Sequence, residues 1–131
     1  MKNIQADIKS GNFKQVYLLY GEEAYLKQQY KQNLVKALNP DGDTMNFNHY
    51  EGKGIDVKQL IDLCETMPFF AERRVVLLED TGFFKNKCEE LADYMKALPD
   101  YLYLVFCESE VDKRSRMYKA VKACGSIGEF K

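Results

Sequence analysis

Apolar residues along the chain come in two rhythms, short unbroken runs and steps of three or four, and the two alternate. Val16-Tyr17-Leu18-Leu19-Tyr20 is an unbroken run closed by Gly21, which predicts a strand buried on both faces. Beyond the glycine, Leu26, Tyr30, Leu34 and Leu38 fall at steps of four on one helix face, up to the turn signal Asn39-Pro40-Asp41-Gly42. Ahead of the run, Lys2 to Ser10 reads as a short helix with Ile4 and Ile8 inward and Gly11 as its stop. Met45 to Tyr50 alternates, with Met45, Phe47 and His49 on one side, and predicts an edge strand. Asp56, with Gln59 three residues on, resembles a capping box. The helix it opens carries Val57, Leu60, Ile61, Cys64 and Met67 on one face and is ended by Pro68.

The second half repeats the alternation. Val75-Val76-Leu77-Leu78-Glu79 is another strand of the buried type. Asn86 with Glu89 predicts a cap for a helix that turns Cys88, Leu91, Ala92, Met95 and Leu98 inward and stops at Pro99. Tyr101 to Cys107 is a fourth strand. Asp112 is read as the cap of a last helix, with Met117, Val121 and Cys124 on one face and Gly125 at its end, before a fifth strand from Ser126 to Phe130. Five strands alternating with helices predict an α/β fold, a parallel sheet in three layers. Stopping on a strand predicts a single domain, residues 1–131, cut from a longer protein. Ligands of such sheets bind at the carboxyl ends of the strands. That rim is expected to hold Gly21-Glu22-Glu23, Met67 to Arg74, Glu79-Asp80 and Glu108 to Arg116.

Composition narrows the classes. The 131 residues suffice for one domain with a real core, and 46% apolar with 30% charged residues is a globular balance. A net charge of −1 gives no general footprint for a polyanion. The polar start, Met1-Lys2-Asn3-Ile4-Gln5, is no signal peptide, and the apolar runs are too short to cross a bilayer, so no membrane role is expected. Cys64, Cys88, Cys107 and Cys124 are spread singly and read as reduced core residues of a cytoplasmic protein. With one histidine, His49, read as an ordinary strand residue, no metal site is expected.

The strand, glycine and helix around Gly21 are where a nucleotide's phosphates sit in α/β domains. The motif G-x-x-x-x-G-K-[ST], counted from Gly21, meets Leu26 where it wants glycine and Gln28 where it wants Ser or Thr; only Lys27 is in register. Glu22 and Glu23, placed in the first helical turn, satisfy the helix dipole and repel a triphosphate. The reading is a nucleotide architecture without the nucleotide: no cofactor and no catalytic residue. Glu79-Asp80 after an apolar run resembles a Walker B strand with its acids reversed, and reads as a buried strand ending in solvated carboxylates. Two alternatives stay open, an active P-loop NTPase and a response-regulator-like phosphoreceiver. The second would use Glu22, Glu23, Asp80 and Lys113, although the lysine follows the fourth strand rather than the fifth.

Met67-Pro68-Phe69-Phe70 is the most unusual local stretch. Two adjacent residues in a turn rarely both face inward, so at least one ring is expected at the surface, the pattern of a protein–protein anchor. Burying one phenylalanine in a partner contributes roughly 1.5–3 kcal/mol, against about 0–1 kcal/mol for a rim ion pair from Arg73 or Arg74. Lys113, Arg114 and Arg116, with Lys119 and Lys122 beyond, make a basic helix start. They are candidates for DNA or a neighbouring subunit, though a solvated face more often explains such a cluster.

Three stretches together, Val16 to Glu23, Met67 to Val76, and Asp112-Lys113-Arg114-Ser115, give the chain a resemblance that covers nearly its whole length. It resembles the N-terminal domain of the delta subunit of bacterial DNA polymerase III, a clamp-loader subunit. The resemblance implies a RecA-like, AAA+-type P-loop fold with a degenerate nucleotide site, followed in the full subunit by a small helical domain and a collar domain. It implies that Met67, Phe69 and Phe70 bind the sliding clamp (beta) as an apolar wedge and open its ring without ATP. Phe69 stands where the family often has leucine. The implied partners are the clamp, the gamma/tau and delta prime subunits, and DNA through the assembled loader. The implied setting is a DNA-directed DNA polymerase holoenzyme, a nucleotidyltransferase to which this domain adds no activity of its own.

Overall fold

The computed structural model describes residues 2–131. Its elements run α1 (Lys2–Ser10), β1 (Val16–Tyr20), α2 (Ala24–Leu38), β2 (Phe47–Glu51), α3 (Val57–Cys64), β3 (Arg74–Glu79), α4 (Glu89–Tyr94), β4 (Leu102–Glu108), α5 (Arg116–Cys124) and β5 (Ser126–Glu129). The five strands form one sheet in the order β2-β3-β4-β1-β5. Every pairing is parallel, with Leu18 of β1 opposite Phe106 of β4 and Ile127 of β5. The five-stranded parallel α/β sandwich expected from the pattern is therefore present.

Helices on both faces explain the unbroken apolar runs. In β1, Tyr17 and Leu19 point toward α1 and α2, where they meet Ile4, Leu34 and Leu38. Val16, Leu18 and Tyr20 point the other way, into a core shared with Leu60, Leu91, Met117 and Val121 of α3, α4 and α5. The Tyr17 hydroxyl is satisfied in the core: it donates to Asp7 Oδ2 at 2.7 Å and accepts from the Lys14 N–H at 2.8 Å. Burial, reinforced by the Asp7 carboxylate, raises its pKa.

Several boundaries differ from the sequence expectation. α3 ends at Cys64, so Met67 lies outside the helix and is exposed. Its start is as expected: Asp56 caps the N–H groups of Lys58 and Gln59. Asn86 does not cap α4. The chain after β3 turns back through Gly82 to bury Phe83 and Phe84, and the Asn86 N–H is used in that turn, on Gly82 O at 2.9 Å. α5 is capped by Ser115, whose hydroxyl accepts from Tyr118 N, rather than by Asp112. Leu26 is exposed on the first turn of α2, Met45 lies outside the edge strand in solvent, and Cys124 is exposed while Cys64 and Cys107 are core residues. All four cysteines are free thiols.

Strand polarity corrects one larger expectation. Residues 67–73 precede β3, so they stand at the amino ends of the strands. Gly21, Asp80 and Ser109 follow their strands, on the opposite rim.

Candidate functional site

At the amino-terminal rim the chain leaves α3 and holds three apolar side chains outward. Met67 is 74% exposed, Phe69 55% and Phe70 93%. Of the eight phenylalanines, Phe69 and Phe70 are the two on the surface. Their rings meet edge-on with centroids 4.4 Å apart. Phe70 has φ +54°, the left-handed region that costs an ordinary side chain roughly 1–2 kcal/mol. Such a conformation persists only where the surroundings impose it.

Two buried polar side chains hold the loop that leads into it. Asn46, just before β2, acts like a strand neighbour toward Phe69: its Oδ1 accepts the Phe69 N–H at 2.6 Å and its Nδ2 donates to Phe69 O at 2.8 Å. The same Nδ2 is 2.7 Å from Asp43 Oδ2. Arg74, the first residue of β3, spreads its guanidinium under the other arm of the loop. Nε donates to Thr66 O at 2.7 Å, Nη2 to Met67 O at 3.3 Å and Nη1 to Asn48 Oδ1 at 3.1 Å. Arg73 leaves the loop in the other direction, stacked over Phe13 and Tyr103 and donating to Leu38 O. A cleft of about 300 Å³ lies between this loop and the end of α2. Met45, 65% exposed beside Asn46, adds a fourth apolar side chain to this rim.

The opposite rim holds the strand–glycine–helix turn. Gly21 has φ +127°, and a Cβ placed there would stand 2.0 Å from Phe130 O. The backbone of Phe130 crosses directly over the turn: its N–H donates to Tyr20 O at 2.7 Å and its carbonyl accepts the Glu23 N–H at 3.0 Å. Glu23 is the N-cap of α2, its carboxylate on Leu26 N at 3.4 Å, so the two glutamates precede the helix instead of filling its first turn. Lys27, the residue in motif register, donates to the carbonyls of Gly21 at 3.0 Å and Glu108 at 3.5 Å. Gly21, Glu23 and Lys27 are thus held together at this turn by main-chain contacts with Glu108 and Phe130.

The other acids of this rim are occupied separately. Glu79 pairs with Lys31 Nζ at 3.1 Å and with His49 Nε2 at 2.7 Å. It is therefore tied down rather than solvated, because Lys31 on α2 and His49 on β2 both lean over the end of β3. Asp80 accepts from the backbone N–H and hydroxyl of Ser109. Lys113 reaches Glu129 at 3.5 Å. Among the described residues no group of His, Cys, Asp and Glu could hold a metal ion. Glu108, expected on this rim but given no role by the sequence, is a buried carboxylate that accepts from Thr81 N, Thr81 Oγ1 and Gly82 N. Burial outweighs those donors and pushes its pKa up to about 7. It floors a cavity of about 420 Å³ lined also by Lys53, Asp80, Lys85 and Ser109.

The basic helix start is largely neutralised by its own neighbours. Arg114 bonds Asp112, and Arg116 reaches Asp93 at 2.7 Å and Glu89 at 3.6 Å. With Lys113 on Glu129, each of the three candidate cations faces a carboxylate of this chain.

The family model described as DNA polymerase III, delta subunit, matches residues 17–131. The chain belongs to this family. A delta relative, DNA polymerase III subunit delta of Bacillus subtilis (strain 168), is 29% identical over 142 residues, covering 98% of this chain and 41% of the relative. The chain thus spans about two fifths of that relative's length. Among solved structures, the Bacillus subtilis DNA clamp loader delta protein superposes with a TM-score of 0.85 at 24% identity, over 99% of this chain and 42% of that one. A DNA polymerase III, gamma subunit-related protein from Thermotoga maritima gives a TM-score of 0.64 at 12% identity, over 98% and 45%. At those identities the structural likeness shows the shared fold, the parallel α/β sandwich described above. Within that fold, the sequence pointed to an exposed ring in the Met67-to-Phe70 stretch but not to the bonds that Asn46 and Arg74 make beneath it. An asparagine before a strand and an arginine opening one carry no local signal of what they bond.

Proposed function

We propose that this delta-family chain is the RecA-like domain that binds the sliding clamp and favours its opened ring, as part of a clamp loader acting in cytoplasmic DNA replication. The observation that carries this reading is the outward presentation of Phe69 and Phe70 in a chain that buries or half-buries every other phenylalanine. An exposed aromatic pair with a methionine on a fixed loop suits an apolar pocket on a partner. The wedge acts by differential affinity: side chains that fit the clamp better when its ring is open shift that equilibrium without nucleotide hydrolysis. ATP chemistry belongs to the gamma/tau neighbours, since Phe130 and Lys27 fill this chain's phosphate turn with its own groups. The gamma/tau and delta prime subunits and DNA are partners of the assembled loader, contacted through the rest of the subunit as well as this domain.

The test is calorimetric titration of the chain with the sliding clamp of the same organism, beside Phe69→Ala/Phe70→Ala. Losing two rings worth roughly 1.5–3 kcal/mol each is expected to weaken binding by at least about 100-fold, with the circular dichroism spectrum unchanged. Equal affinity for both proteins would remove the wedge from the clamp interface.

A further inference from the structure

The clamp-facing loop has an internal frame that the sequence motif does not include. Asn46 and Phe69 are 23 residues apart, yet one carboxamide satisfies both main-chain groups of Phe69. Arg74 ties the carbonyls of Thr66 and Met67 to the Asn48 side chain, joining the loop to the start of β2. Both framing side chains are buried, Asn46 4% and Arg74 5% exposed, whereas Met67, Phe69 and Phe70 on the loop they hold are exposed large apolar side chains. A free loop would relax Phe70 out of the left-handed region and let the two rings collapse onto the cleft beside Ala71 and Glu72.

We infer that Asn46 and Arg74 are positioning residues for clamp binding: they touch no partner, and they hold Met67, Phe69 and Phe70 in the bound shape before the clamp arrives. This rests on the wedge reading above and adds its mechanism of affinity. Ordering a loop in advance removes that cost from the binding step. The kind of partner follows from the same frame. A fixed, convex pair of rings requires a preformed apolar pocket, not a surface that moulds itself around a mobile loop.

The first arm needs no clamp. Amide hydrogen exchange of the free chain is measured for wild type, Asn46→Ala and Arg74→Lys. Asn46→Ala is expected to lose protection at the Phe69 N–H by at least about 10-fold, with core amides such as Val76 and Leu104 unchanged. Phe69 protection that survives Asn46→Ala overturns the inference. Arg74→Lys keeps the charge and loses the fork, and is expected to release the loop partly while preserving the fold.

The second arm is a double-mutant cycle of clamp affinity between Asn46→Ala and Phe70→Ala. In the wild-type background Asn46→Ala is expected to weaken binding about 10-fold. In the Phe70→Ala background it is expected to weaken it less than about 3-fold, because the ring at the end of the loop it frames is gone. Equal effects in both backgrounds, or none in either, overturn the positioning role. Should Phe70→Ala itself bind like wild type, the wedge reading fails, and the exchange arm still decides whether Asn46 frames the loop.

Discussion

A carboxylate with three donors around it would ordinarily ionise well below neutrality, and Glu108 does not. Its donors come from Thr81 and Gly82, but the group is 1% exposed and its pKa is pushed up to about 7 from an ordinary value of 4.5. The folded chain therefore keeps a proton that the unfolded chain has released. Stability is fully present below the unfolded value and is lost as pH rises through the folded one, a total on the order of 3 kcal/mol. Urea unfolding is expected to show a free energy that falls between about pH 4.5 and about pH 7, and Glu108→Gln is expected to flatten that slope. An unchanged slope in the variant would assign it to other groups. Nothing in the order of residues signalled this, because Glu108 looks like any acid after an apolar strand; its burial comes from the loop that folds Thr81 back over it. Met45 was misread for the opposite reason. Alternation places it in an edge strand, on one side with Phe47 and His49, but the strand begins at Phe47 and leaves Met45 in solvent. If Met45 belongs to the apolar rim, Met45→Ala is expected to reduce clamp affinity about 3-fold to 10-fold. Folding stability should stay within about 0.5 kcal/mol of wild type. An affinity equal to wild type would confine the contact to Met67, Phe69 and Phe70.

Helix starts show at the scale of one element what local pattern can and cannot decide. Asp56 was legible because it is the one cap-type residue ahead of an apolar periodic run, and it bonds two of the free N–H groups of α3. Ahead of α5 there are two such residues three apart, and pattern alone favours Asp112 over the actual cap, Ser115. Asp112 accepts from Arg114 N in a turn of its own, and Ser115 caps the helix. The difference lies in where the helix must begin to put Met117 and Val121 on the sheet. Ser115→Ala is expected to cost about 1 kcal/mol of stability, and Asp112→Ala, at an exposed turn, less than about 0.5 kcal/mol. Urea midpoints of the two variants check this, and the reverse order would move the helix start. The same limit explains α4: Asn86 matches a capping box with Glu89, but its N–H is drawn into the Gly82 turn by the burial of Phe83 and Phe84.

For the whole molecule, the parallel sheet and its layers were legible because each buried run is flanked by its own helix, while the order of the strands and the closure of the sheet over the phosphate turn were not. That closure brings Phe130 onto Gly21, residues far apart in the sequence, and no spacing rule connects them. It also separates two explanations for the silence expected of the nucleotide site. Read as sequence, the site fails at Leu26 and Gln28, and Leu26→Gly with Gln28→Thr would complete the phosphate-loop motif around Lys27. Read as structure, the Phe130 carbonyl already takes the Glu23 N–H, and Lys27 already bonds the Gly21 and Glu108 carbonyls. Anion binding at such a turn depends on free N–H groups and a free cation. Titration with ATP and Mg²⁺ is therefore expected to give no heat of binding for the wild-type chain, and none for the doubly substituted chain either. Micromolar binding by the substituted chain alone would place the defect in the two motif positions and make the crossing of Phe130 incidental. Binding by both would restore the P-loop NTPase reading, and the wedge at the other rim would then have to work beside an active site.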